Sequence, residues 1–470
     1  MKFSLTLLLL AATCASTQAQ DRRQVAEPQI PPPGVVLGAQ LTSRGTSLAE
    51  ADEARPDTAR LQAALDRCPP GQAVELRPDG PHDAFLTGPI ELRAGVTLLV
   101  DRGAILYASR NPRDYDLRPG VAGTITEHAH GCKPLISGDR VANTAIMGDG
   151  IIDGRGGSRM LGQELTWWEL AAKGRPHALQ NNPRLVVFAG CDNAILYRVQ
   201  LRDSPNFHVS YSGGTGFTVW GVIISAPANA HNADGIDIGQ PWPVVPEPTT
   251  DVTITHTYIH AGDDIVAAKA PLGYPTSHIS IVHNHFYTGH GMSIGSATSG
   301  GVSAIRVSDL TIDGAANAFH LKSNLKLGGV VRDIQFDHVW VRGSKNPLFI
   351  ETHYDSSGHE VDGDDPHHPP RFTDIRFTDV FFEGGGKIIL DGLDAAHPLD
   401  VTFHDVRLDR PDRYAVTADH AVVHLEGSNL TARGDDVTVF SSPGGEPMPA
   451  DEGRFVPFPV PISSLDGPRP

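Results

Sequence analysis

The stretch Val252-Thr253-Ile254-Thr255-His256-Thr257-Tyr258-Ile259 decides the fold, because its pattern returns several times along the chain. An apolar-polar-apolar triplet is followed, after a short polar step, by a second apolar pair. The same arrangement appears as Ile279-Ser280-Ile281 with Phe286, and as Ile305-Arg306-Val307 with Leu310-Thr311-Ile312. Alternation of this kind is typical of β-strands, in which successive side chains point to opposite faces. Each repeat is therefore predicted to contain two short strands.

The distance between repeats varies while the strand pattern stays constant. Successive units are separated by roughly 22 to 41 residues, which indicates stacked turns with insertions in their loops. The units begin near Ile195, Phe217, Val252, Ile279, Ile305, Ile334, Ile375 and Val401. We therefore expect an all-β fold, a single-stranded right-handed parallel β-helix.

Composition agrees with this fold class and limits the partners. The chain has 470 residues, of which 40% are hydrophobic, and its 49 glycines and 37 prolines favour turns over long helices. The formal net charge of -17 disfavours a nucleic acid or an anionic membrane as a partner. A polyanionic sugar is still possible, because a local cationic pocket can lie within an acidic protein.

The first residues have the pattern of a secretory signal. Lys2 is followed by a largely apolar run, residues 5–12, and by small residues before Ala19. The run is too short to cross a bilayer as a stable helix, so we expect cleavage after Ala19 and a secreted or periplasmic protein. A lipoprotein attachment at Cys14 fits poorly with the residues before it.

The remaining chain divides into three predicted parts: an arm at residues 20–54, a β-helix at 55–430, and an irregular extension at 431–470 that is rich in proline and glycine. A short helix is expected after Asp57, since Leu61, Ala64 and Leu65 lie on one helical stripe. Such a helix would cover the open first turn of the β-helix.

Four polar motifs follow one another on successive repeats. They are Asn232-Ala233-Asp234, Gly262-Asp263-Asp264, Gly289-His290-Gly291 and His320-Leu321-Lys322. Asp263 follows Val252 by 11 residues and His290 follows Ile279 by 11, while Asp234 and Lys322 each come 17 residues after their repeat begins. Equal offsets predict that these side chains converge on one groove, where carboxylates could give a proton and activate water.

Together these motifs resemble glycoside hydrolase family 28, the polygalacturonases and related pectin hydrolases, which share the pectin lyase-like solenoid. The resemblance begins at the helix of residues 57–68 and extends to about Tyr354. Its most specific part is Gly262-Asp263-Asp264 followed by Gly289-His290-Gly291-Met292-Ser293-Ile294-Gly295-Ser296. It implies a secreted, inverting enzyme that cleaves α-1,4-galacturonosyl linkages without a cofactor or metal, acting on pectic polysaccharide or oligogalacturonide as a monomer.

The resemblance also implies residue roles. Asp263 would be the general acid, Asp234 and Asp264 would activate water, and His290 would orient the acid. Substrate contacts would come from Lys322, His320, Tyr354 and Asn232. Physical chemistry supports a division of roles, because the most crowded or least solvated carboxyl of such a group should keep its proton.

Two positions depart from the family pattern. The family's Asn-Thr-Asp is Asn-Ala-Asp here, and its Arg-Ile-Lys is His320-Leu321-Lys322, which replaces a guanidinium fork by a titratable imidazole. If the substrate carries a carboxylate at this position, a protonated His320 and Lys322 are expected to share its recognition; the alternative is a site for a neutral or differently decorated sugar.

Other functions stay open at this point. The enzyme could act on another pectic polymer such as rhamnogalacturonan, it could be a lyase, or the chain could be a non-catalytic polysaccharide-binding β-helix. Insertions at 240–250 and 355–371 could close one end of the groove, which favours exo action.

Overall fold

The computed structural model describes residues 20–127, 129–175, 179–240, 245–354, 368–443 and 452–463. The predicted signal peptide, residues 1–19, lies outside them. Two α-helices occur in these ranges, α1 (Thr58–Arg67) and α2 (Trp167–Lys173), and neither is long and apolar enough to cross a membrane. Short 3-10 turns lie at Glu50–Ala54, Pro112–Tyr115, Pro411–Arg413 and Glu452–Arg454.

The described part of the chain also contains 31 strands. The first half of the chain contributes β1 (Pro33–Gly38), β2 (Ala73–Arg77), β3 (Ala84–Thr87), β4 (Ile90–Glu91), β5 (Thr97–Val100), β6 (Ile105–Ala108), β7 (Ile136–Asp139), β8 (Ala145–Met147), β9 (Ile151–Asp153), β10 (Val186–Ala189), β11 (Ala194–Tyr197), β12 (Gln200–Arg202), β13 (Val209–Ser212), β14 (Gly214–Trp220) and β15 (Ile223–Ser225). The second half contributes β16 (Ile236–Ile238), β17 (Thr249–Thr255), β18 (Tyr258–His260), β19 (Asp264–Ala268), β20 (Thr276–Tyr287), β21 (His290–Ile294), β22 (Val302–Asp313), β23 (Asn317–Lys322), β24 (Val330–Arg342), β25 (Asn346–Glu351), β26 (Arg371–Glu383), β27 (Gly386–Asp391), β28 (Leu399–His404), β29 (Arg407–Leu408), β30 (Tyr414–Glu426) and β31 (Gly434–Ser442).

All named strand pairs are parallel and fall into three stacks. The first stack begins β1–β2–β5–β8–β11–β14–β17, the second begins β3–β6–β9–β12–β15–β18, and the third is β4–β7–β10–β13–β16–β19–β21–β23–β25–β27–β30. The long strands β20, β22, β24 and β26 run through two stacks. This arrangement is the right-handed parallel β-helix expected from the repeats, and the prediction is confirmed.

The predicted register is also seen in the first stack. Phe217 pairs with Val252, Val252 with Ile279, and Ile279 with Ile305, as the repeats indicate. Only the first unit is shifted, because Ala194 rather than Ile195 pairs with Phe217. These apolar positions are fully buried and form the interior of the solenoid.

Helix α1 covers the beginning of the β-helix. Leu61, Ala64 and Leu65 are buried in the main core, as the helical stripe predicts. Asp57 precedes the helix, but its carboxylate accepts hydrogen bonds from the Leu86 amide and the Arg60 guanidinium instead of capping the helix.

The predicted domain limits differ from the structure at both ends. Strand β1 lies within the predicted arm and β31 lies within the predicted extension, so the solenoid is longer than residues 55–430. The pattern missed both strands because each pairs on one side only, so that glycine and exposed polar residues are tolerated in it.

Two segments outside the turns lie along the solenoid. In the first, the Asp21 amide donates to Ser280 Oγ at 2.9 Å, and Arg22 forms an ion pair with Asp251 at 2.5 Å. In the second, residues 452–463, the Phe458 ring packs against Tyr287 at 5.1 Å. Both segments therefore connect distant rungs of the fold.

Candidate active site

The polar motifs lie at or next to the ends of successive strands of the third stack. Asp264 begins β19, His290 begins β21, and Lys322 ends β23, while Asp234 comes two residues before β16. Neighbouring strands are ~4.8 Å apart, so side chains from residues far apart in sequence meet along one groove. The structure thus brings together the residues that the motifs predict.

The pairing within this row differs from the equal-offset prediction. His290 pairs with Asp264, not with Asp263, because the turn before β21 is one residue shorter than the turn before β19. Ile236 pairs with Val266 on the next strand. Asp234 lies two residues before Ile236, and Asp264 lies two residues before Val266, so Asp234 aligns with Asp264 rather than with Lys322.

The three carboxylates are closer together than expected. One oxygen each of Asp234, Asp263 and Asp264 lies within 4.8 Å of the others, which is shorter than the ~6.5–9.5 Å separation of an inverting pair. Asp234 and Asp264 are 3% exposed, whereas the Asp263 side chain is 22% exposed. Asp263 is therefore the carboxyl most accessible from the groove.

Asp264 is held in the ionised form. Burial by itself would raise its pKa, but the Lys322 ammonium, 3.1 and 3.2 Å from its two oxygens, and His290 outweigh burial and hold the pKa well below its usual range. The Ser293 hydroxyl donates a further hydrogen bond at 2.7 Å. An ionised carboxylate with these partners is suited to accept a proton from water.

Lys322 is an internal partner in this arrangement. Its side chain is 7% exposed, and its ammonium lies 5.1 Å from the centre of the Tyr354 ring. Burial opposes the charged form, yet the attraction of Asp264 is larger and raises the pKa of Lys322. The geometry therefore favours a role for Lys322 in keeping Asp264 ionised, while its expected contact with substrate stays a prediction.

His290 lies close to the carboxylates of both Asp263 and Asp264. Its Nδ1 lies 3.3 Å from Asp263 Oδ1 and 3.5 Å from Asp264 Oδ1. Burial disfavours the imidazolium, but both carboxylates outweigh burial and raise the pKa of His290 to about 9. Burial likewise would raise the pKa of Asp263, and His290 reverses this and lowers it.

Asp234 has the opposite character. Burial, the nearby Asp237 and then Asp263 raise its pKa well above the usual range. Asp237 itself pairs with Lys269 at 2.5 Å, and the attraction of Lys269 for Asp234 offsets only part of the rise in its pKa. By the criterion of crowding and burial, Asp234 is the carboxyl whose protonated form is most favoured, whereas the family resemblance gives the acid role to Asp263.

The raised pKa of His290 predicts a pH-dependent stability. The folded-state pKa of about 9 exceeds the unfolded value of about 6.5, so the stabilisation is fully present below pH ~6.5 and is lost as pH rises through ~9. Denaturant unfolding of wild type and His290→Gln should therefore show a difference in free energy of unfolding that shrinks across this window. His82→Gln, remote from the carboxylates, is the control. A difference that is constant across the window would contradict the ion-pair assignment.

His320 is buried beneath the groove, which departs from the expected substrate contact. Its Nε2 lies 2.8 Å from Glu351 Oε1, the Asn317 amide nitrogen lies 3.3 Å from its Nδ1, and its ring stacks on Phe349 at 5.0 Å. Burial and then Lys322 lower the pKa of His320. Both ring nitrogens have partners, so the structure favours a neutral positioning imidazole over a protonated one that binds a carboxylate.

This environment changes the expected effect of a substitution at His320. If the imidazole is neutral and internal, His320→Arg should leave the shape of the kcat/KM profile unchanged between about pH 5 and about pH 8. The measurement compares both proteins on galacturonate oligomers. A flattened profile with tighter binding in the variant would instead show that His320 binds the substrate carboxylate.

Asn232 and Tyr354 border the same site. The Asn232 backbone amide points to Asp263 Oδ2 at 3.4 Å, and its side-chain oxygen accepts a hydrogen bond from Gln180 at 2.8 Å. Asn232 has φ 55°, a left-handed conformation that asparagine tolerates well. It therefore fixes the loop before Asp234, and its expected contact with substrate stays a prediction, as does that of Tyr354.

Sequence reasoning missed several residues of the site. Ser293 contacts Asp264, Glu351 contacts His320, and the paired Asp237 and Lys269 influence the pKa of Asp234. Asp237 carried a signal, because the alternation in Ile236-Asp237-Ile238 directs it to the same face as the groove. The others gave none, since their partners lie far away in sequence.

The same residues include possible metal ligands. Ligand atoms of Asp264, His290 and His320 lie within 4.8 Å of one another, as do those of the three carboxylates. The Lys322 ammonium and the His290 imidazolium already balance the charge of these carboxylates. A cation would therefore have to displace an existing ion pair to bind here.

A groove on a parallel β-helix that brings together three carboxyls, an imidazole and an ammonium has the groups of a glycoside hydrolase, because acid and base must act on one bond together. The comparisons with known proteins agree. The chain belongs to glycosyl hydrolases family 28, whose model matches residues 104–423.

Three similar proteins illustrate this membership. An endo-polygalacturonase of Pectobacterium carotovorum subsp. carotovorum is 38% identical over 86% of this chain and 94% of the relative. A polygalacturonase of Ralstonia solanacearum is 34% identical over 97% of this chain and 98% of the relative. The solved polygalacturonase from Erwinia carotovora ssp. carotovora has a TM-score of 0.76 and 34% identity, covering 90% of this chain and 100% of that structure.

Proposed function

We propose that this protein is an exported polygalacturonase that hydrolyses α-1,4 linkages between galacturonate residues of pectin. The observation that carries the proposal is the carboxylate cluster, in which Lys322 stabilises the ionised form of Asp264 while Asp263 is open to the groove. The names of the similar proteins give the substrate class. The chain acts as a monomer in this proposal.

The proposed roles follow the family resemblance and the site chemistry. Asp263, the most accessible of the three carboxyls, protonates the leaving glycosidic oxygen. Because His290 lowers its pKa in the free protein, Asp263 must first take up a proton when the substrate is bound. Asp264 accepts a proton from the attacking water, because its low pKa keeps it ionised and its contacts with Lys322, His290 and Ser293 hold it in position. Asp234 helps to position the attacking water. Because its pKa is raised, it must lose its own proton before it can act as a base.

Inversion of the anomeric configuration is part of the proposal, although the short carboxylate spacing does not itself favour it. The decisive measurement is the proton NMR spectrum of the first product formed from oligogalacturonides. A β-anomer appearing first supports inversion, and an α-anomer would assign a retaining mechanism.

The name of one similar protein favours internal cleavage over exo action. The Pectobacterium relative is named an endo-polygalacturonase. The exo prediction depended on the insertions at 240–250 and 355–371, and residues 241–244 and 355–367 lie outside the described part of the chain. A rapid loss of viscosity of polygalacturonate with few new reducing ends would establish endo action.

The substrate is tested by chromatography of products from polygalacturonate, its oligomers and rhamnogalacturonan. Galacturonate oligomers without ultraviolet absorbance from unsaturated ends are expected. Unsaturated products would assign a lyase, cleavage of rhamnogalacturonan alone would assign the other pectic polymer, and binding without products would assign a non-catalytic protein.

A further inference from the structure

A strap near the end of the described chain, residues 454–463, crosses the outside of the solenoid. At one end of the strap, the Arg454 guanidinium forms an ion pair with Asp309. At the other end, the Ser463 hydroxyl donates a hydrogen bond to the Asp203 carboxyl. Asp309 belongs to β22 and Asp203 follows β12, so the strap passes over several neighbouring strands of the second stack.

The sequence of the strap favours an extended chain that lies against the solenoid. Prolines at positions 457, 459 and 461 are exposed, whereas the residues that alternate with them, Phe458, Val460 and Ile462, are partly buried. Every second side chain therefore faces the solenoid, as in an extended strand. Proline restricts the unfolded chain, so docking of the strap loses less conformational entropy. The strap lies outside the region matched by the family model, residues 104–423.

The catalytic loop, residues 226–235 between β15 and β16, carries Asp234 and is held by His260. The His260 Nδ1 lies 2.8 Å from the Ala226 carbonyl oxygen, and the Ala226 amide donates to the His260 carbonyl at 2.8 Å. A carbonyl oxygen can only accept, so Nδ1 carries the hydrogen of this bond. Burial lowers the pKa of His260, which keeps the imidazole in this neutral form at neutral pH.

Phe458 packs directly on this histidine. The centre of its ring lies 5.5 Å from that of His260 and 5.1 Å from that of Tyr287. The Tyr287 hydroxyl also donates to the Val456 carbonyl at 2.8 Å, which fixes the strap beside these rings. Phe458 therefore limits the movement of the His260 ring that holds the catalytic loop.

The strap also reaches a second support of the catalytic loop, the indole of Trp168. This indole packs against three alanines of the loop, Ala226, Ala230 and Ala233. Its N–H donates to the Ser204 carbonyl at 2.9 Å, and Ser204 follows Asp203, to which Ser463 binds. Alanine side chains make small contacts, so the place of the loop, and with it that of Asp234, depends on these supports.

We propose that Phe458 is a positioning residue for the reaction, because through His260 it fixes the catalytic loop and thereby the place of Asp234. The inference rests on the proposed function, in which Asp234 helps to position the attacking water. A misplacement of about 1 Å can cost ~100-fold in rate. Asn232, the residue of the loop expected to contact substrate, is held separately by Gln180 at 2.8 Å, so substrate binding should change little.

The first test compares Phe458→Ala with Phe455→Ala on polygalacturonate, well below the unfolding temperature of each protein. Phe455 is the matched control, because it lies in the same strap but its ring packs on the Arg342 guanidinium at 4.2 Å. Phe458→Ala should lower kcat by about tenfold or more with KM within about twofold of wild type, whereas Phe455→Ala should keep both values. Phe458→Leu, which keeps apolar bulk, should recover most of kcat.

The second test removes the hydrogen bond that holds the loop. His260→Phe has no N–H for the Ala226 carbonyl but keeps an aromatic ring against Phe458, and it should lower kcat by about tenfold. Adding Phe458→Ala to His260→Phe should lower kcat no further, since both changes act through one contact.

Equal kcat values for Phe458→Ala and Phe455→Ala, a higher KM in place of a lower kcat, no recovery in Phe458→Leu, or additive losses in the double variant would overturn the positioning role. If Phe458→Ala does not fold, His260→Phe decides alone: a wild-type kcat overturns the role, and a lower kcat with unchanged KM supports it. Wild-type cleavage of polygalacturonate separates this failure from that of the proposed function. If wild type cleaves, only the positioning role is wrong, and if it does not, both fall.

Discussion

Replacing Asp263 with asparagine should lower kcat on polygalacturonate by about 100-fold or more while the protein stays folded. Proton donation by a positioned acid contributes typically ~10²–10⁴-fold, and an amide cannot supply that proton. The Asp263 carboxyl is the most exposed of the three and contacts His290 at 3.3 Å, so its replacement removes no buried ion pair of the core. The measurement is kcat from released reducing ends, with thermal unfolding of the same sample.

Asp412→Asn is the control for this substitution, because Asp412 is an exposed residue in a 3-10 turn far along the solenoid. Its kcat should equal that of wild type. A well-folded Asp263→Asn protein with near-wild-type kcat would contradict the role proposed for Asp263 and would direct attention to Asp234, whose raised pKa favours its protonated form.

Lys322→Met should damage both stability and activity. Removing the ammonium leaves the Asp264 carboxylate buried without its main partner, and breaking a buried ion pair in this way costs ~3–5 kcal/mol. The pKa of Asp264 should rise, because burial would no longer be outweighed. We expect a kcat at least about 100-fold lower near neutral pH, since water activation by a positioned base is lost.

Two further variants isolate this effect. Lys326→Met removes a lysine of the same turn whose side chain is exposed, and it should be close to wild type in both measurements. Lys322→Met combined with Asp264→Asn removes both partners, and it should recover part of the lost free energy of unfolding. If the double variant is as unstable as the sum of the single ones, the pair does not contribute to stability.

Most of the fold could be predicted from the repeats. The apolar triplets from Phe217 to Val401 gave the correct register, because inward-facing side chains must alternate in every rung. The offsets of the polar motifs were less reliable. These offsets were counted across turns. Because the turn before β21 has one residue fewer, His290 pairs in the sheet with Asp264 instead of Asp263.

The identity of the site residues was accessible from the motifs, but their protonation was not. The pKa of Asp264 depends on Lys322, 58 residues away, and that of Asp234 depends on burial that no local pattern reveals. His320 shows the same limit. Its substitution for the family's arginine suggested contact with substrate, whereas in the structure its Nε2 forms a hydrogen bond with Glu351 on the next strand.

The N-terminal contacts have a consequence for the order of folding. Asp21 and Arg22 bind residues of β17 and β20, more than 220 residues later in the chain. These contacts cannot form until those strands exist, so the first described segment to be synthesised is among the last to dock. Interactions that are absent from the folding transition state mainly slow unfolding. We therefore expect the arm to dock late and to slow unfolding. Arg22→Ala, which removes the ion pair with Asp251, should accelerate unfolding with little change in the folding rate.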